Sequence, residues 1–153
     1  MPAIGRMQRI VIDGVIAVDN AGMEQTHYRF DDDVMGAPRF NGIRADANEH
    51  HKIRYLTLRN IIYQSIGGVK REAIPADYPA VHDYRMNMES GQHICGSENY
   101  YPDWSRTAFM DIRNVEHLVL DQIQLQAINT DERTPYLLDG CSCVKSDVTV
   151  TET

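Results

Sequence analysis

The chain reads as an all-β protein, a right-handed parallel β-helix (solenoid) of about three to four coils with one long inserted loop. Three observations predict this. A strand-like sequence recurs along the chain. Its apolar residues alternate with polar ones, the mark of a half-buried strand. Each later copy is preceded by a second short strand.

The recurring stretches are RMQRIVIDGVIAV at 6–18, KIRYLTLRNIIYQ at 52–64 and NVEHLVLDQIQLQ at 114–126. Ile10, Ile12 and Val15 superimpose without gaps on Leu56, Leu58 and Ile61, and on Leu118, Leu120 and Ile123. A weaker copy, CVKSDVTVTET at 143–153, aligns Val148 and Val150 once a one-residue length difference is allowed. Between the two apolar runs of each full copy stands Gly14, Asn60 or Gln122. Gly and Asn tolerate the left-handed backbone of a sharp corner, and Gln122 fits it less well. The preceding short strands are FNGIRADA at 40–47, RTAFMDI at 106–112 and TPYLLDG at 134–140. The repeating unit is therefore strand, turn, strand, corner, strand, and such units stack into one continuous core. The segment 65–105 carries Gly67, Gly68, Pro75, Pro79 and Pro102 without a clear period and reads as the long loop. A shorter excursion covers 19–39 and contains Asp31, Asp32 and Asp33.

Composition bounds the function classes. The 153 residues carry 15 Lys+Arg against 22 Asp+Glu, a formal charge of −7. No basic stripe offers itself to phosphate, so nucleic acid is not expected as a partner. The same balance argues against an anionic membrane surface, and no run of about 18 apolar residues occurs. MPAIGRMQRIVIDG lacks the basic and long apolar segments of a signal peptide. Hydrophobic residues at 42% make disorder of the whole chain improbable. About three and a half coils without a recognisable N-terminal cap is short for a solenoid, so 1–153 is expected to be part of a larger β-helix domain.

No residue cluster spells out a metal or cofactor site. His50 and His51 are adjacent and read as solvated turn residues, since neighbours on a strand face opposite ways. Asp31 to Asp33 lack the alternate spacing of a calcium loop. Cys141 and Cys143 lack the C-x-x-C spacing of zinc or redox pairs and read as small packing residues near a corner. Tyr100, Tyr101 and Trp104, together with Asp103 and Arg106, cluster in the long loop. Aromatic faces beside polar donors suit sugars, which offer C–H patches and hydroxyls; the same aromatics could instead fold the loop onto the stack.

The order of these features resembles the C-terminal coils of glycoside hydrolase family 28, the polygalacturonase-like pectin hydrolases. The residues that carry the resemblance are HHKIRYLTLRNIIYQSIGG at 50–68, IPADYP at 74–79, ENYYPDWSRTAFMDIRNVEHLVLDQIQL at 98–125 and DERTPYLLDGCSCV at 131–144. In that family, coils of this pattern are followed by a Gly-Gly loop, a Pro- and Tyr-rich insertion and an Arg-bearing strand. Gly67-Gly68, Tyr101-Pro102 and Arg113 stand in those places, and Asp131, Arg133 and Pro135 match the short loop before the last coil. The resemblance implies a pectic or related plant polysaccharide as ligand, a parent family that is often secreted or periplasmic, and no cofactor. It makes Tyr100, Tyr101, Trp104, Arg106 and Arg113 the substrate-binding candidates.

The family's catalytic motifs are not found. No D-D occurs within a coil, and no G-H-G or R-I-K is present. Asn129-Thr130-Asp131 spells N-T-D but falls in a loop near the C-terminal end, without the Gly and second Asp that follow in the family. The expectation is therefore a C-terminal portion of a glycosidase, inactive alone, with no catalytic residue of its own. A stand-alone carbohydrate-binding or structural solenoid is the alternative, and a polysaccharide lyase or epimerase portion a further one. Open ends of the stack are expected to promote self-association unless loops cap them.

Overall fold

In the computed structural model the described residues are 5–18, 42–73 and 107–152. They form seven strands and one short 3-10 turn at Arg71–Ala73, with no α-helix among them. The strands are β1 (Gln8–Val18), β2 (Ile43–Asp46), β3 (Ile53–Gly67), β4 (Thr107–Arg113), β5 (Val115–Asn129), β6 (Thr134–Asp139) and β7 (Lys145–Glu152). The protein is all-β and its sheets are parallel. One sheet has the order β1-β3-β5-β7 and the other β2-β4-β6.

Register is in phase with the sequence repeat. Ile10 pairs with Leu56 and Leu56 with Leu118; Ile12, Leu58 and Leu120 form the next row. Val15, Ile61, Ile123 and Val148 form another, and Ala17, Tyr63, Leu125 and Val150 a fourth. The second sheet adds Ile43–Met110–Tyr136 and Ala45–Ile112–Leu138. The weaker fourth copy joins with a one-residue register shift between Leu120 and Ile123, matching the length difference read from the sequence. Burial peaks in the middle of the stack, where Leu118, Leu120, Ile123 and Leu125 are fully buried, while Ile10, Val15, Val148 and Val150 are half-buried. Each fully buried Leu or Ile stabilises by about 1.5–3 kcal/mol, so the two inner strands dominate the core energy. Phe109 meets Tyr63 edge-to-face at 6.1 Å and ties the two sheets together.

The long strands bend where the backbone turns left-handed. Gly14, Asn60 and Gln122 share one corner, with φ of 77°, 52° and 54°. Gln122 therefore takes the corner conformation in spite of its side chain. A second corner, absent from the sequence reading, runs through Arg9, Tyr55, His117 and Cys143, with φ between 49° and 58°. A third joins the sheets at Asn114 and Gly140. There the Asn114 amide donates to the Ala47 carbonyl at 2.6 Å, and its backbone N–H donates to Asp139 O at 2.8 Å. A Cβ on Gly140 would strike the Asn114 side chain, so glycine is required on both steric and conformational grounds.

The strand at 53–67 runs through Ser65, Ile66 and Gly67, which the sequence had placed in the loop. What fastens this end is Asp131. Its carboxylate accepts from Arg133 Nε at 2.9 Å and Nη2 at 2.8 Å, and from the backbone N–H of Arg133 and of Val69. The two side chains are only 2% and 1% exposed. Next to it, Glu132 accepts from the Arg71 N–H at 2.7 Å, while its own N–H donates to Val69 O. That Arg71 amide, with Lys70 nearby, holds the Glu132 carboxyl below the usual carboxylate range. Asp131 of the N-T-D triplet is thus a structural clasp between the segment after β3 and the segment after β5.

Two outcomes follow from these contacts. Asp131→Ala removes the carboxylate against which the buried Arg133 guanidinium is paired. It should lose about 3–5 kcal/mol in urea denaturation, whereas Asp131→Leu with Arg133→Met should recover most of the loss. At the corner, Gln122→Val should lower stability by about 1 kcal/mol, because a β-branched residue resists positive φ. Gln122→Asn should hold or raise the urea midpoint.

Candidate functional site

Of the expected binding residues, Tyr100, Tyr101, Trp104 and Arg106 lie outside the described residues, as does Cys95. Arg113 lies on β4. Its Nε and Nη2 donate to the two oxygens of Asp111 at 3.2 and 2.9 Å. The Asp111 side chain is 3% exposed, so this guanidinium balances a buried carboxylate. One strand away, Arg44 pairs with Asp46 at 2.9 Å. Register sets Arg44 beside Asp111 and Asp46 beside Arg113, an alternating lattice on one face of the sheet. Its charges are matched within the lattice, which suits cohesion of the sheet more than capture of an anion.

The described residues gather unmatched positive charge elsewhere. Beyond β2 the chain turns through Ala47–Lys52. The Asn48 side-chain oxygen accepts from the N–H groups of His50 and His51 at 2.9 and 2.8 Å, which shapes the turn. Both histidines are exposed, as solvated turn residues should be. The turn then enters β3, where Ile53 N–H donates to Asn114 O and Arg54 N–H to Met7 O. This brings the segment 5–7 against the 49–54 segment and against β5. A cleft of about 670 Å³ lies between them, rimmed by Arg6, Lys52, Arg54, His50, Glu49 and Glu116.

Its charges are unequal. Arg54 Nε contacts Glu116 Oε2 at 2.9 Å, and His50 Nε2 stands 3.4 Å from Glu49 Oε1. Glu116 is thus matched by Arg54, while Glu49 has only an imidazole beside it, and the rim as a whole carries three cations against two carboxylates. Arg6 and Lys52 have no ion-pair partner among the described residues. In a chain of net charge −7, this is a local excess of cation. Beside Arg54 and Glu116, the rings of Tyr55 and His117 stack at 4.5 Å and 5°. They stack face to face along the strand pairing, so each ring covers one face of the other.

Arg6 and Lys52 were not singled out from the sequence as site residues, and Arg54 was weighed only, with Arg59, for the lyase or epimerase alternative. The basic run HHKIR at 50–54 was a signal; its meeting with Arg6 depends on strand pairing. The sequence expected Cys141 and Cys143 to share a packing face. Cys141 does turn inward, its thiol reaching Ile112 O and Asp139 O at 3.6 Å, but Cys143 occupies the second corner and is exposed. A corner between two residues breaks the two-residue alternation of a strand. Burial pushes the Cys141 thiol up from its ordinary value. No family model, no curated protein and no solved structure matches this chain.

The thiol environments set an order of reactivity. Alkylation with iodoacetamide at about pH 8 should label Cys143 before Cys141, because the thiolate is the nucleophile and Cys141 is both shielded and slow to ionise. Timed peptide mass analysis reads the order directly.

Proposed function

We propose that this chain is a stretch of right-handed parallel β-helix, of about three to four coils, resembling the C-terminal coils of polygalacturonase-like pectin hydrolases, and that it holds an acidic polysaccharide without hydrolysing it. The cation-rimmed cleft at Arg6, Lys52 and Arg54 is the observation that carries this reading. A polymer of uronic acids presents a carboxylate on every sugar, and an extended cleft with unmatched Lys and Arg suits such a chain. The chain as a whole carries −7, so the cations of this rim stand against its overall balance. Long parallel rows and left-handed corners support the coil architecture.

Three of the described carboxylates are committed to ion pairs with arginine. Glycoside hydrolysis by inversion needs an acid and a base placed on either side of a bond, with room for water. Asp131 is buried against Arg133, Asp111 is held by Arg113, and Asp46 is paired with Arg44.

Calorimetric titration with an oligogalacturonide and with its methyl-esterified counterpart tests the proposal. The acidic ligand should bind, the neutral one should not, and binding should weaken with salt. Lys52→Glu should weaken it by about tenfold or more, equivalent to about 1.4 kcal/mol. Equal binding of both ligands, or of neither, would overturn the proposal. New reducing ends released by the pure chain would overturn its non-hydrolytic part.

A further inference from the structure

Strand β1 pairs with β3 along one side only; its second backbone edge meets no strand among the described residues. Between its corners at Arg9 and Gly14, the segment 10–13 has N–H and C=O groups on that edge that meet no strand among the described residues, and such an edge is a template for another strand. Its side chains add to that. Val11 is 64% exposed and Ile16 76%, with Met7, Ile12 and Val18 also exposed. At the paired positions of β3 stand Thr57 for Val11 and Gln64 for Val18. Behind the edge an apolar cavity of about 480 Å³ opens onto the end of the core, lined by Ile10, Ile12, Val15, Leu56 and Leu58. Solvated edges are normally guarded by charge, proline or bulges, and β1 has no proline and two charged residues of opposite sign, Arg9 and Asp13.

We infer that β1 pairs with β1 of a second copy, antiparallel, about a two-fold axis through Val11. This goes beyond the polysaccharide reading and does not depend on it. Three features select this occupant. The sheet continues: a strand laid on β1 extends the rows that already run through β3, β5 and β7. The charges are self-complementary, because antiparallel pairing centred on Val11 sets Arg9 opposite Asp13 in both halves of the interface. The apolar residues match as well, Ile10 opposing Ile12, so the two open core ends cover each other.

Head-to-tail stacking fits less well. Placing β7 of one copy on β1 of the next, in the existing register, brings Asp147 to the Asp13–Gly14 corner, a like-charge contact. It would continue the inward rows, with Val148 on Val15 and Val150 on Ala17, but would set Lys145, Thr149 and Thr151 on the exposed Val11, Ile16 and Val18. A two-fold contact closes after one step, whereas a head-to-tail one grows without limit.

Light scattering and sedimentation of the 153-residue chain test this. Across micromolar concentrations the mass should move from 17.4 kDa to a discrete dimer and no further. Val11→Lys should weaken the dimer by tenfold or more while the circular dichroism spectrum is unchanged, since Val11 is outside the core. Ile16→Lys is a second, equally exposed variant. Arg9→Asp alone should weaken association, and Arg9→Asp combined with Asp13→Arg should restore it. A monomer at high concentration, a dimer indifferent to Val11→Lys and Ile16→Lys, or species that keep growing with concentration would each overturn the inference.

Discussion

Parallel strands held in phase, so that each core side chain rests on a similar side chain one strand away, are the constraint from which the rest of the structure descends. A slip of one residue would turn every apolar row outward. Rows such as Leu56–Leu118 and Leu58–Leu120 fix the phase because both faces of the strand differ so sharply in polarity. Polar rows then fall into line on the outside. Arg59 reaches Asp121 at 3.1 Å, Gln64 reaches Gln126 at 3.2 Å, and Asn60 reaches Asp13 at 2.8 Å. Individually such exposed contacts contribute little. Their value is in agreeing with the core about register.

The same phase explains the corners. A left-handed residue with a side chain costs on the order of 1–2 kcal/mol in isolation. Tyr55 and His117 adopt it together, directly paired across the strands, and their rings stack. The stacking of two aromatic groups is worth about 0.5–1.5 kcal/mol, enough to offset much of one residue's strain. Strand pairing holds the backbone there in any case, because the apolar residues on either side are already committed to the core. Residue preference is therefore a weak guide to where such a chain bends, and neighbouring strands are a stronger one.

This bears on how far the sequence alone could be read. The strands were visible because period-2 alternation is a local property, and Ile10, Leu56 and Leu118 declare it within a few residues. The parallel, all-β character followed from repetition. The Gly14 and Asn60 corner was visible because both residues favour it; the Arg9, Tyr55, His117 and Cys143 corner was not, because of the four types only His is enriched in the left-handed backbone, and it stands in one strand alone. The cation-rimmed cleft was the least legible part. Its cations come from residue 6 and residues 52–54, and their proximity is a consequence of strand pairing. Arg113 was visible as a charged residue, but that it balances Asp111 could be known only once the burial of Asp111 was seen.

Charge placement completes the physical picture. Acidic residues outnumber basic ones, so an anion approaching at random is repelled. Within the stack, however, Asp111, Asp121 and Asp131 each face an arginine, and Glu116 does so at the cleft. Pairing removes these carboxylates from the local field where the structure most needs cohesion. Arg6 and Lys52, without such partners among the described residues, then stand out against a neutralised background rather than against an acidic one. A net charge averaged over the chain conceals this, since the potential at a cleft is set by the unmatched groups within about one Debye length, roughly 8–10 Å. The acidic composition and the cationic cleft are thus compatible, and the pairing of the acids makes the contrast between them sharper.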